Sequence, residues 1–229
     1  MSGTRDALPP GQRTREDFPR FGLWPMASRF PRVLDHTRVE LLGDVVRSPG
    51  LVETIDAAPR IEQVSDVHCV TTWSHRHARW SGVRFAEWYA AQVVPTLDPS
   101  RPPRTVVIRA QDGARTTMLL DDLLASDVLL ADRLNGAPLT IAHGAPLRLV
   151  CPQHYAYKSA KHVSRIEFWH AAPRVRTVGF RFMDHPRARV AHEERGRWFP
   201  GTLLRVVYRP LIPITVAVFA KALRRAGLG

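Results

Sequence analysis

The chain has 229 residues, 45% hydrophobic and 24% charged, which suits one sizeable globular domain with an extension. Two cysteines without regular spacing exclude a disulfide-built scaffold and fit a reducing compartment, and within the apolar segment 203–223 the longest uncharged run, the eleven residues 210–220, is too short to cross a bilayer. The net charge of +12 is uneven: residues 170–229 hold twelve Lys/Arg against three Asp/Glu, so an acidic redox partner, anionic lipid or nucleic acid would each be attracted there.

Residues 1–34 carry Pro9, Pro10, Pro19, Pro25 and Pro31, which forbid a long helix and predict an extended arm. Phe18, Phe21, Trp24, Met26 and Phe30 make it too apolar for a free tail, so it is expected to pack along the domain. Residues 1–17 show no apolar segment of a secretory or twin-arginine leader, and a cytoplasmic location is expected. Residues 38–46 read as a strand ended by Ser48-Pro49-Gly50, with a short helix over 51–58. Over 61–70 the period-two pattern puts Ile61, Gln63, Ser65, Val67 and Cys69 on one side of a strand. Cys69 then stands near a strand end, before a polar loop that carries His75, Arg76, His77 and Arg79.

Trp80, Val83, Phe85, Trp88, Tyr89 and Val93 fall at spacings near three and four, predicting an amphipathic helix over 84–94 that ends before the prolines at 95, 99, 102 and 103. Asp112-Gly113 turns a hairpin of 105–110 and 115–120. Asp121 and Asp122 open a predicted helix running through Leu123, Leu124, Val128, Leu129 and Leu130 to Asn135-Gly136. Residues 147–150 and 163–169 read as strands, and 203–223 as a helix packed on the domain or lying at a membrane surface. Mixed elements without βαβ regularity indicate an α+β class, mixed sheets with packed helices. The expected organisation is an arm over 1–34, a domain over 35–172 and a basic extension over 173–229. Neither G-x-G-x-x-G nor a Walker A sequence is present, so no dinucleotide or nucleoside triphosphate site is expected.

A thiol at a strand end beside imidazole and guanidinium groups is placed to become a thiolate, a soft metal ligand, although a packed core thiol meets the same pattern. Cys69, His75 or His77, Cys151 and His154 also offer a Cys₂His₂ set for structural zinc in a basic nucleic-acid-binding protein. No RNA- or DNA-reading motif accompanies that set, and nucleic acid is not expected as a partner.

Six motifs in one order bear on this choice: His68-Cys69-Val70-Thr71-Thr72-Trp73, Arg79-Trp80-Ser81-Gly82-Val83, Leu134-Asn135-Gly136-Ala137-Pro138-Leu139, the stretch H-G-A-P-L-R-L-V at 143–150, Y-A-Y-K-S-A-K at 155–161, and Ile166-Glu167-Phe168. Over roughly residues 36–170 the chain resembles the sulfite oxidase family of molybdopterin enzymes. The resemblance implies a sulfite oxidase-type molybdopterin-binding domain with a molybdenum-molybdopterin cofactor, whose metal takes two dithiolene sulfurs and the thiolate of Cys69. It implies cofactor contacts at His143, Arg148, Ser159, Ala160 and Lys161, with Cys151 a buried thiol outside the site. Arg76 and Tyr155 are the expected catalytic partners of Cys69. The implied reaction is two-electron oxygen-atom transfer on a small oxyanion or S-oxide, by a monomer that exchanges electrons with a separate carrier, a haem protein being one option. Family members specific for sulfite carry arginines soon after the cysteine, whereas Trp73-Ser74 looks more like the bacterial sulfoxide reductase branch. A non-catalytic molybdopterin carrier is the remaining alternative, disfavoured because storage has less need of a metal thiolate. Peripheral membrane contact through the extension is a further expectation.

Overall fold

Residues 7–174 and 179–228, the described part of a computed structural model, are built on two sheets. Along the chain run β1 (Arg13–Thr14), β2 (Val39–Leu42), β3 (Gly50–Val52), β4 (Arg60–His68), β5 (Trp73–Arg84), β6 (Thr105–Ala110), β7 (Arg115–Leu119), β8 (Leu129–Leu134), β9 (Ala137–Pro138), β10 (Arg148–Val150) and β11 (Val163–Trp169). One sheet follows the path β1-β5-β8-β10, with β4 beside β5 and β9 beside β8; the other has the order β3-β2-β11-β6-β7. The pairs β1–β5 and β11–β2 are parallel and the other pairs antiparallel. These mixed sheets with a few short helices are the α+β architecture expected.

The first sheet is covered on both faces, and alternation decides which side chain goes where. Val83, Leu130, Leu149 and Cys151 face the second sheet and join Leu41, Val106, Ile108, Ile166 and Phe168 in the main core. Trp80, Leu129, Ala131 and Val150 face the other way, into a second cluster with Val67 and Phe18. Each fully buried Val, Leu, Ile or Phe contributes roughly 1.5–3 kcal/mol. Exposed ion pairs such as Arg47–Asp98 or Arg101–Asp44 contribute roughly 0–1 kcal/mol, so packing between the sheets carries the fold.

The helix over 84–94 forms as α1 (Phe85–Trp88), continued by a π-helical turn at Tyr89–Val93, and its stripe of Phe85, Trp88 and Val93 is fully buried. The hairpin at Asp112-Gly113 forms between β6 and β7. Three other expectations are corrected. Residues 51–58 hold the end of β3 and a single 3₁₀ turn, Ile55–Ala57, instead of a helix. The helix from Asp121 stops after one turn, α2 (Leu120–Leu123), because the following apolar run is β8, a strand paired on both edges whose first three residues, Leu129, Leu130 and Ala131, are all buried. The polar loop after Cys69 shrinks to residues 69–72: Trp73 already begins β5, which pairs with β4 from His68↔Ser74 to Arg60↔Val83.

Gly82 explains how β5 lies against β8. A Cβ there would fall 2.1 Å from the Leu130 carbonyl oxygen, so no other residue permits this approach.

The arm and the extension meet over the second face of the first sheet. Trp24 Nε1 donates to Thr215 Oγ1 at 2.9 Å, and Met26, Ala27 and Phe219 bury one another. Two helices close the described chain, α3 (Gly201–Tyr208) and α4 (Leu211–Arg225), with Leu204, Tyr208, Thr215 and Phe219 turned inward.

Candidate functional site

Cys69 sits in the β4–β5 turn, where its own N–H donates to the Trp73 carbonyl at 2.8 Å and Thr72 closes the loop at φ 84°. The loop's backbone is held by segments far away in sequence. Gln12 Nε2 donates to the Cys69 carbonyl at 3.0 Å, Arg13 N–H to the Thr72 carbonyl at 3.0 Å, and the fully buried Arg195 to the Val70 carbonyl at 2.7 Å. Behind the turn, Ser74 Oγ donates to Gln12 Oε1 at 3.1 Å and lies 2.8 Å from His68 Nδ1. The Cys69 side chain is thereby fixed, 7% exposed, with Sγ 3.1 Å from Thr71 Oγ1. Burial pushes its thiol pKa up, while the Thr71 hydroxyl and the charges of Arg195 and Lys161 pull it back down.

A cationic wall is formed by β10 and the loops on either side of it. Arg148, on β10, is 2% exposed, donates to the His143 carbonyl at 2.9 Å and holds its guanidinium 4.5 Å from the Trp80 ring centre. Lys161 Nζ donates to the Ala142 carbonyl at 2.8 Å. Among the described residues neither cation has a carboxylate within ion-pair distance. Burial lowers Arg148 to about 10, and burial together with Arg148 and Arg20 lowers Lys161 to about 7. His143 is lowered to about 4 by burial, then by Lys161 and Arg148, and its Nδ1 is buried without a hydrogen-bond partner. Gly144 packs between the two cations: at φ 112°, a Cβ would lie 3.0 Å from Arg148 Cβ and 3.2 Å from Lys161 Cβ.

Cys69 and this wall open onto one cleft. A cavity of about 600 Å³ is lined by Cys69, Trp73, Arg148, Tyr157 and Lys161 below, and by arm residues such as Phe21 and Trp24 and by Tyr208 and Leu211 of the extension above. A narrower cavity of about 220 Å³ shares Phe21, Val70, Tyr157 and Lys161 with it and continues to Ser159, Ala160, His162 and Arg20. Phe18 caps the wall, its ring 4.6 Å from His75 and 4.5 Å from His143.

Of the residues singled out in the sequence, Cys69, Arg148, Ser159, Ala160 and Lys161 line this joined cleft, and His143 stands directly behind it. The Ser159 hydroxyl accepts from Cys151 N–H at 3.0 Å. Arg76 and Tyr155 are not among the lining residues. Arg76 Nε is 3.6 Å from Asp66 Oδ2, and Tyr155 is fully buried beneath Arg195, its phenol pushed up to about 12 by burial. Tyr157 lines the cleft instead, its hydroxyl accepting from His185 N–H at 3.1 Å. Sequence reasoning missed Gln12 and Arg195, because each acts through backbone carbonyls distant in the chain, and Arg20, whose guanidinium binds the Met26, Ala27 and Arg29 carbonyls of the folded arm; the aromatic spacing of the arm was the one visible signal.

The zinc set is corrected. Cys151 faces the core between the sheets, its sulfur 4.0 Å from that of Met118, on the opposite side of the first sheet from Cys69. His154 Nε2 is 3.6 Å from Asp122. Among the described residues no group of three or more His, Cys, Asp or Glu is disposed to hold a metal ion.

A buried arginine without a counter-ion costs several kcal/mol unless an anion completes it. Arg148 and Lys161 therefore fit an anionic, acceptor-rich group in the cleft, and Cys69 offers a sulfur donor on the same wall. Such a fold and site define a molybdopterin-binding oxidoreductase domain. Residues 33–175 match the family model described as oxidoreductase molybdopterin binding domain. The chain is 37% identical over 164 residues to the uncharacterized oxidoreductase YuiH of Bacillus subtilis, covering 70% of this chain and 78% of that protein. It is 32% identical over 145 residues to the protein-methionine-sulfoxide reductase catalytic subunit MsrP of Xanthomonas axonopodis, covering 58% of this chain and 45% of that one. The chain thus spans about half the length of this relative or less. The sulfane dehydrogenase SoxCD of Paracoccus pantotrophus shares the fold, with a TM-score of 0.51 at 19% identity over 62% of this chain and 40% of that one. The chain belongs to the sulfite oxidase-like family of molybdopterin-binding oxidoreductases.

Proposed function

We propose that the protein is a molybdenum-cofactor-dependent oxidoreductase that performs two-electron oxygen-atom transfer on an S-oxide, with electrons exchanged with a separate carrier protein. The observation that carries this reading is the placing of Cys69 on the same cleft wall as Arg148 and Lys161, two cations without carboxylate partners among the described residues. When bound, a molybdenum pterin supplies a centre that takes up or gives up an oxygen atom with two electrons.

The chain's own residues supply the rest. Cys69 offers its sulfur to the metal, and Arg195 and Lys161 favour the thiolate that such a bond requires. Arg148 and Lys161 hold the anionic end of the cofactor by charge-assisted hydrogen bonds. His143, neutral at pH 7, presents one donor and one acceptor nitrogen. The arm excludes water from the cleft, which strengthens each of these contacts.

Two features favour an S-oxide over sulfite. Arg76 is engaged with Asp66, outside the cleft lining, and the wall near Cys69 is largely apolar, with Phe21, Leu23, Trp24, Trp73 and Met183. An S-oxide attached to hydrocarbon suits such a wall better than a small dianion does. The relative named a protein-methionine-sulfoxide reductase subunit supports the same class.

The test is expression in a host that makes molybdopterin, followed by elemental mass spectrometry and turnover assays. Molybdenum near one per chain, with viologen-driven reduction of methionine sulfoxide, is the expected result. Molybdenum with sulfite oxidation alone would overturn the substrate class, and zinc without molybdenum would overturn the enzyme reading.

A further inference from the structure

In α3 and α4 the usual arrangement of a surface helix is inverted. The arginines that interrupt the apolar run are turned toward the body: Arg205 Nε is 3.6 Å from Glu193 Oε1, and Arg209 Nε donates to Thr72 Oγ1 at 3.3 Å. What faces outward is apolar, with Leu203 53%, Val206 68%, Val207 55% and Ile214 50% exposed. Trp198 and Phe199 precede this surface and are exposed as well. At its far end Lys221, Arg224 and Arg225 are exposed, and on α4 they lie at helical spacing on the face of Ile214 and Ala217.

A helix apolar on both faces is normally covered. Here the inner face, through Leu204, Tyr208, Thr215 and Phe219, lies on the protein, so the outer face needs another cover. Among the described residues no single helix is long and apolar enough to cross a membrane; α3 and α4 reach that length and composition only together, and they are bent by 54°. With one face on the protein and a bend between them, the pair suits lying on a bilayer better than spanning it.

We propose that this surface docks the protein on an anionic lipid bilayer, the outer apolar side chains entering the headgroup boundary while Lys221, Arg224 and Arg225 meet lipid phosphates. Charge decides for an anionic membrane, because residues 170–229 carry a net +9 and the exposed cations stand beside the apolar face. Exposed Trp198 and Phe199 together with Lys221, Arg224 and Arg225 supply the aromatic and basic residue types that hold helices at a membrane interface. Since Tyr208, Leu211 and Thr215 also line the cleft, its outer wall would rest on the membrane.

The test is co-sedimentation of the full chain with vesicles of phosphatidylcholine and phosphatidylglycerol, against vesicles of phosphatidylcholine alone. Binding to the mixed vesicles is expected, reduced roughly tenfold or more by Val206→Asp with Val207→Asp, and by Lys221→Glu with Arg224→Glu and Arg225→Glu. These positions are exposed, so circular dichroism of each variant should match the parent. Absence of binding by the parent chain, or equal binding by the aspartate variant, would overturn the proposal. So would a dimer, measured by light scattering, that the aspartate substitutions convert to monomer, because a second copy would then be the cover.

Discussion

The two cysteines occupy opposite faces of one sheet, and their surroundings show how position sets the chemistry of a single residue type. Both thiols are buried, and burial raises the pKa of each. Around Cys69 the nearby charges are Arg195 and Lys161, which favour a thiolate. Around Cys151 the fields of Asp127 and Asp122 add to the rise that burial causes and oppose those of Arg148 and Lys158, and its sulfur touches Met118 in an apolar core. One thiol can be recruited to a metal; the other is packing.

The contrast breaks most directly by exchanging the sulfur. Cys69→Ser should lower molybdenum-dependent turnover beyond the roughly 10–100-fold that loss of a supporting group causes. Cys151→Ser should keep metal and turnover but lose about 1–3 kcal/mol of stability in urea titration, because its hydroxyl enters an apolar core. Equal turnover in the two variants would erase the distinction.

Next in size is the cation near Cys69. Arg148→Met should weaken cofactor retention by roughly 2–5 kcal/mol, read as molybdenum remaining after dialysis. The cofactor-free protein should be no less stable than the parent, because the substitution removes a buried charge that lacks a counter-ion. A large loss of stability without cofactor would show that Arg148 is structural.

Lys161 gives a smaller effect with a defined sign. Its folded pKa is lowered from 10.5 to about 7, so between those values the unfolded chain binds the extra proton and stability rises with pH. The Tm of the cofactor-free protein should therefore contain a component that climbs from pH 7 toward 9 and is absent in Lys161→Met. If an anion holds Lys161 charged, the cofactor-loaded protein should lack that component too.

The smallest change is Gly144→Ala. A positive φ and close approach to Arg148 and Lys161 should cost about 1–3 kcal/mol, measured by denaturation, and displace the two cations from each other.

Much of this architecture was readable because its signals are local. The hairpin at Asp112-Gly113 rests on a turn pair, and β4 on alternation. The start of β8 read as helix because Leu129, Leu130 and Ala131 are buried on both faces and show no alternation, Leu129 and Leu130 entering different clusters. His75 to Arg79 read as loop because their polarity hid a strand whose partner is β4. Within the site, motif residues between 143 and 161 converge as their order suggested. The distinction between Tyr155 and Tyr157 was invisible, since it depends on Arg195, which reaches the Cys69 loop from across the chain.

That reach bears on the order in which the molecule is made. Arg195 grips the Val70 carbonyl across a separation of 125 residues and the Pro10 carbonyl across 185. As the chain leaves the ribosome, the turn holding Cys69 is complete long before its last clasp has been synthesised. Of the cleft's roof, the arm's share, Phe21 and Trp24, is therefore synthesised before the sheet and its cations, and the extension's share, Tyr208 and Leu211, after them.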